Sequence, residues 1–86
     1  MNKTWTDNGW NEYMYWHDQS DKRTIKKINK LIQAIDRHPY VGPGKPEPLK
    51  YELSGKWSRR IDQENRLIYS VNNDVLTIFS CRTHYR

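Results

Sequence analysis

Residues 57–83, WSRRIDQENRLIYSVNNDVLTIFSCRT, decide the fold, because here the apolar residues recur with a period of two. In Trp57-Ser58-Arg59-Arg60-Ile61, Trp57 and Ile61 fall on one face and Ser58 and Arg60 on the other, as in a strand. Asp62-Gln63-Glu64-Asn65 reads as a turn. Residues 66–71 form a second strand with Leu67, Tyr69 and Val71 aligned. Asn72-Asn73-Asp74 is a tight hairpin turn, and residues 75–83 make the last strand. Three strands joined by short turns are an antiparallel meander, whose apolar face the rest of the chain must cover.

Upstream the punctuation changes. Residues 39–55 hold all four prolines and three of the four glycines, which marks an ordered loop. Before the loop the period is helical. Ser20 or Asp21 starts a helix with Ile25, Ile28, Ile32 and Ile35 on one face and Lys22, Arg23, Lys26, Lys27 and Lys30 on the other. Pro39 stops it, since the residue before a proline is pushed out of helical dihedrals. An earlier helix, capped by Asp7 or Asn8, carries Trp10, Tyr13, Met14 and His17 at i, i+3, i+4 and i+7. Lys3-Thr4-Trp5 reads as a short first strand. The order β-α-α-β-β-β predicts an α+β fold, with two N-terminal helices packed on a four-stranded antiparallel sheet, as one domain over residues 1–86.

Composition narrows the function classes. A chain of 86 residues buries about 60% of its unfolded surface, so its core is small. With 35% hydrophobic residues against 29% charged, the core depends on four Trp, six Tyr and one Phe. Fifteen Lys and Arg against ten Asp and Glu give a net charge of +5, which favours a polyanionic partner. No apolar run approaches the roughly 20 residues of a membrane span, and no signal-peptide pattern opens the chain; a cytoplasmic protein is expected. Cys81 is the only cysteine, so no internal disulfide forms, and within an apolar strand it reads as a small core residue. His17, His38, His84 and Cys81 lack metal-ligand spacing, and neither a metal nor a cofactor is expected. Gly42-Pro43-Gly44-Lys45 lacks the flanking strand and helix of a phosphate loop.

Three polar features can carry chemistry. Glu47 stands between Pro46 and Pro48, with Lys45 and Lys50 nearby; the prolines restrict its backbone, and the plainer reading is a solvated loop glutamate. Arg59, Arg60 and Arg66 surround the first hairpin, and their guanidinium forks suit phosphate oxygens. The alternative there is a solvated basic face paired with Asp62 or Glu64. His84-Tyr85 follows the last strand: a free histidine can act as acid or base at cellular pH, and the tyrosine can stack on a base, orient the histidine or pack against the sheet edge. Glutamate, arginine and histidine together are the general base, anion stabiliser and general acid of a metal-free ribonuclease. Spacing leaves open whether they meet in space.

The same blocks resemble a known family. Trp10 with Tyr13, Tyr15 and Trp16, then Asp21-Lys22-Arg23, Lys45-Pro46-Glu47-Pro48-Leu49-Lys50, Leu53-Ser54-Gly55, Trp57-Ser58-Arg59-Arg60-Ile61, Arg66-Leu67-Ile68-Tyr69 and His84-Tyr85 are similar, in one register, to the YoeB toxins of the RelE superfamily. The resemblance implies a RelE-like microbial ribonuclease fold and a toxin that cleaves mRNA in the ribosomal A site. It further implies neutralisation by a YefM-type antitoxin, and often a homodimer. By matching motifs it implies Glu47 as general base, His84 as general acid and Arg66 as stabiliser of the phosphorane, with Lys50, Arg60 and Tyr85 binding and orienting substrate. The products would be a 2′,3′-cyclic phosphate and a 5′-hydroxyl. Two other readings stay open: a basic module that binds RNA or a partner without cleaving, and a ParE-type toxin of the same fold acting on DNA gyrase.

Overall fold

A computed structural model describes residues 1–82; residues 83–86 lie outside it. The elements run β1 (Asn2–Trp5), α1 (Asp7–Asp18), α2 (Lys22–Arg37), β2 (Glu47–Pro48), a 3-10 turn (Tyr51–Leu53), β3 (Trp57–Arg60), β4 (Arg66–Asn72) and β5 (Val75–Ser80). Both helices pack on one sheet, as the sequence predicts, but the sheet has five strands in the order β1-β5-β4-β3-β2 and is not purely antiparallel. β1 pairs with β5 in parallel, Trp5 opposite Ile78. Parallel partners need a long connection, which almost the whole chain supplies here. The fifth strand comes from the loop: Glu47 pairs with Ser58 and Pro48 with Trp57. A two-residue edge strand is where a proline, having no N–H to donate, is tolerated.

α2 begins where its cap requires. The Asp21 carboxylate accepts the Thr24 amide at 3.0 Å and the Thr24 hydroxyl at 2.9 Å. Ile28, Leu31, Ile32 and Ile35 are buried, so Leu31 joins the stripe while Ile25 stays half-buried at its edge. His38, extended at φ −143°, ends the helix ahead of Pro39.

α1 departs from expectation. Its cap is Thr6, whose hydroxyl accepts the Gly9 amide at 3.0 Å, and not the expected Asp7 or Asn8. The stripe of Trp10, Tyr13, Met14 and His17 only borders the core: Trp10 and His17 are exposed, the other two half-buried, and Tyr13 packs against the core's edge. Gly9, Glu12 and Trp16 face β5 instead. At Gly9 an added Cβ would collide with the Ile78 carbonyl oxygen and lie 3.1 Å from its carbon. A helix docked this closely at Gly9 leaves no depth for a large ring at that point. The rings therefore pack beside it, Trp5 on Tyr13 at 4.7 Å and Tyr13 on His17 at 4.8 Å between centroids.

The β4–β5 hairpin turns through Asn73 and Asp74, at φ 50° and 63°, which matches the strand twist as a type I′ turn does. β5 ends at Ser80 and not at Thr83, because the Cys81 amide leaves the ladder to donate to Glu12 Oε1 at 2.8 Å. The core lies between α2 and Leu67, Tyr69, Leu76 and Ile78. Cys81 belongs to it as expected; burial, with Glu12 nearby, pushes its thiol up to about 12. No helix among the described residues is long and apolar enough to cross a membrane.

Candidate active site

Alternation along β3 separates two adjacent arginines. Arg59 pairs with Leu67 on the helix side and has no exposed surface. Its Nε donates to Tyr69 Oη at 3.1 Å, Nη1 to Pro43 O at 3.2 Å, and Nη2 to His38 O at 2.7 Å and Val41 O at 3.0 Å. Tyr69 Oη donates in turn to Pro39 O at 2.6 Å. A buried guanidinium is tolerable only when its donors are satisfied, and here loop carbonyls and a phenol do it. Arg59 therefore pins the 38–43 segment to the sheet, which corrects its placement among phosphate ligands. Gly44, at φ 87°, permits the close passage: an added Cβ would lie 3.0 Å from Arg59 Cβ and 3.1 Å from Leu31 Cδ2.

The opposite face of the sheet carries the other candidates. Glu47 on β2 pairs with Ser58 on β3, Ser58 with Ile68 on β4, and Ile68 with Ser80 on β5, one continuous row. Two residues along, Arg60 and Arg66 pair with each other. Glu47 and Arg66 are thus two strand spacings apart, about 10 Å, and about 7 Å along the strands, on one face. Long side chains from both can reach a group lying between them.

Local structure holds these positions. Pro46 and Pro48 fix the backbone on either side of Glu47, and Leu49, buried at 7% exposure, ties the following loop down with its amide on Lys56 O at 2.9 Å. Glu47 and Lys50 line a hollow of about 400 Å³ with Tyr51 and Glu52. Arg60 and Arg66, with Lys27 and Lys45, line another of about 450 Å³. Half-buried Arg66 is tethered, Nη1 donating to Asp62 O at 3.1 Å and Asn65 O at 3.4 Å. The Asp62 carboxylate shapes that turn by accepting the Glu64 amide at 2.8 Å and the Asn65 amide at 2.7 Å. Partial burial opposes its ionisation, but these bonds, the Asn65 side chain and the Arg66 charge together hold it below its ordinary value of 3.8.

Cations outnumber carboxylates along these two hollows: Lys27, Lys45, Lys50, Arg60 and Arg66 stand against Glu47, Glu52 and Asp62. A larger hollow of about 640 Å³ continues the positive surface along α2 with Arg23, Lys26 and Lys30. Such a surface attracts phosphates. His84 and Tyr85 lie outside the described residues, but the chain leaves β5 at Ser80, in the row of Glu47. The exit is anchored. Glu12 Oε1 accepts the amides of Cys81 at 2.8 Å and Arg82 at 3.1 Å, and Trp16 Nε1 donates to Cys81 O at 3.0 Å. The Arg82 guanidinium lies 3.6 Å from the Tyr15 ring centroid. Sequence reading missed Glu12, although Gly9, Glu12 and Trp16 share helical spacing i, i+3, i+7; that second stripe was its signal.

Residues 5–85 match the family model of the YoeB-like toxin of bacterial type II toxin–antitoxin systems. The chain belongs to this family. Toxin YoeB of Escherichia coli (strain K12) is 53% identical over 85 residues, which cover 99% of this chain and all of that one. A YoeB/ParE toxin from Agrobacterium tumefaciens superposes with a TM-score of 0.94 at 44% identity, covering 99% of this chain and 100% of that one. YoeB of Staphylococcus aureus, solved as a dimer, superposes at 0.90 with 44% identity, covering 99% of this chain and 98% of that one. The same toxin has been solved in a heterotetrameric complex with YefM. The YoeB-like fold is therefore shared along nearly the whole chain, and the row containing Glu47 lies within the matched segment.

Proposed function

We propose that this toxin is a ribosome-dependent endoribonuclease that cleaves mRNA in the A site by acid–base catalysis and so inhibits translation. The observation that carries the reading is the register of the sheet face turned away from the helices, where Glu47, Arg60 and Arg66 fall on one side and β5 ends in the row of Glu47. Glu47 takes the proton of a ribose 2′-hydroxyl, whose oxygen attacks the adjacent phosphorus. Arg66 neutralises the charge that gathers on the equatorial oxygens, its fork already aimed by the Asp62 and Asn65 carbonyls. Lys50 and Arg60 hold the flanking phosphates. His84 gives a proton to the departing 5′-oxygen, with Tyr85 orienting the histidine or the base. The products are a 2′,3′-cyclic phosphate and a 5′-hydroxyl, and every step runs on the chain's own side chains.

Partners follow from the same surface. Ribosomal and messenger RNA present the phosphates that a chain of net charge +5 favours. A YefM-type antitoxin neutralises the toxin by laying an acidic segment, ordered on binding, over the face of Glu47 and Arg66. The YefM complex and the dimer of the S. aureus relative support an antitoxin partner and a homodimer; the cytoplasm is the proposed setting because ribosomes and mRNA are there. Primer extension on programmed ribosomes tests the activity: wild type gives a cut within the A-site codon, and Glu47→Ala or His84→Ala lowers the rate about 10²–10⁴-fold. If the wild type binds ribosomes but leaves mRNA intact, the chain is a binding module and the nuclease reading is wrong.

A further inference from the structure

Among the described residues four large hydrophobic side chains are exposed: Trp10, Tyr40, Val41 and Tyr51. Trp10 packs edge-on against Trp5, and Tyr40 lies on Trp57 at 4.7 Å between centroids. Tyr51 differs. It is 88% exposed, and its ring meets no other aromatic ring among the described residues. Yet its backbone is tightly held. Leu53 N donates to Lys50 O at 3.1 Å, Ser54 N to Tyr51 O at 3.0 Å and Lys56 N to Leu53 O at 3.0 Å. Tyr51 itself sits at φ 58°, a left-handed conformation that a bulky side chain rarely adopts. An ordered turn thus presents a bare ring on the rim of the hollow that holds Glu47 and Lys50.

We propose that Tyr51 is a base-stacking residue that receives an unpaired nucleobase of single-stranded RNA next to the scissile phosphate, while Lys50 takes that nucleotide's phosphate. This rests on the ribonuclease reading given above. An aromatic face binds any base through its π surface, so the contact adds affinity without dictating sequence. The surroundings favour RNA over a protein partner. Tyr51 is flanked by Lys50 and Glu52, both exposed, and a lone ring between charges offers little of the contiguous apolar surface that a protein hot spot needs.

Because the stack forms with bound substrate and persists in the transition state, its loss falls on KM and leaves kcat unchanged. The test compares wild type, Tyr51→Phe and Tyr51→Ala on ribosomes programmed with mRNA. Cleavage kinetics are measured on native mRNA, and equilibrium binding on mRNA carrying a 2′-deoxy nucleotide at the A site. Tyr51→Ala should bind about tenfold more weakly and raise KM by a similar factor, with kcat and Tm unchanged; Tyr51→Phe should match wild type in all of these. Binding by Tyr51→Ala within twofold of wild type overturns the proposal. So does a variant that binds RNA normally but loses affinity for a YefM-type antitoxin, which would make the ring a protein contact. Should wild type bind the deoxy mRNA but cut no native mRNA, the ribonuclease reading falls, while the binding arm still decides whether Tyr51 stacks on RNA.

Discussion

Arg59 and Arg60 are neighbours on β3 with the same charge, and the sheet sends them to opposite fates. On the helix side, Arg59 is enclosed and every hydrogen bond it makes goes to the protein: three carbonyls and the Tyr69 hydroxyl. On the open side, Arg60 is exposed and paired across the ladder with Arg66, so two like charges stand side by side. Like charges opposite one another cost stability. The difference shows which arginine serves the fold; under the function proposed above, the other face is where an arriving phosphate would relieve the like-charge pair.

The comparison breaks most visibly by mutation. Arg59→Ala leaves three loop carbonyls and a phenol without their donor, and should cost about 3–5 kcal/mol, a large share of a small domain's stability. Arg59→Lys should recover only part, since a single ammonium cannot reproduce a fork reaching four acceptors. Arg60→Ala should change stability by less than about 0.5 kcal/mol while weakening RNA binding. Urea denaturation of the three variants measures this. Equal destabilisation by Arg59→Ala and Arg60→Ala would show that the two faces do not divide the work.

The enclosed face also holds Cys81 and Tyr69, both raised by burial, the former to about 12. A thiol whose folded value lies above its unfolded one favours the native state while it stays neutral. That contribution is intact below the unfolded value near 9 and is lost as pH rises from there toward 12. Between pH 9 and 10 the loss should be roughly 1 kcal/mol. Cys81→Ala should flatten this part of a stability-against-pH curve, at the cost of a small cavity. An identical alkaline slope in the variant would locate the effect elsewhere.

Legibility in the sequence followed the strength of local pattern. The meander was readable because Leu67, Tyr69 and Val71 alternate without interruption, and α2 because Asp21 caps a long isoleucine stripe. Three features were hidden. β1 runs parallel to β5 because the two meet across the whole chain, and nothing in Lys3-Thr4-Trp5 encodes a partner that far away. The α1 stripe misled because two aromatic rings, a methionine and a histidine outweigh Gly9 in any hydrophobic count, although the glycine decides which face can approach the sheet. Arg59 misled because a run of arginines reads as a surface. Strict alternation already put it with Trp57 and Ile61, and Tyr69, diagonal to it across the ladder, supplied a polar partner. For the site, the family motifs named Glu47, Arg60 and Arg66, and the register then grouped them on one face. His84 and Tyr85 fall beyond the described residues.

The smallest expected effect lies where the two faces share one device, the β3–β4 turn. Asp62 gathers the amides of Glu64 and Asn65, and its own carbonyl accepts from Arg66. Asp62→Ala removes the side-chain bonds and should cost about 1 kcal/mol, since each is an exposed bond of modest net worth. Acid should mimic it more weakly. The carboxyl is held below 3.8, so its contribution is present above that value and lost as pH falls through the lower folded one. Solvent screening keeps this to a few tenths of a kcal/mol. Activity should respond more than stability, because a loosened turn frees the Arg66 fork, and a 1 Å error at a catalytic group can cost much in rate. A roughly tenfold fall in kcat for Asp62→Ala, with the transition midpoint moved by only a few degrees, would mark the turn as a positioning element of the open face. A variant that loses stability but keeps its rate would make the turn part of the fold alone, and the line between the two faces would then run at Arg66 itself.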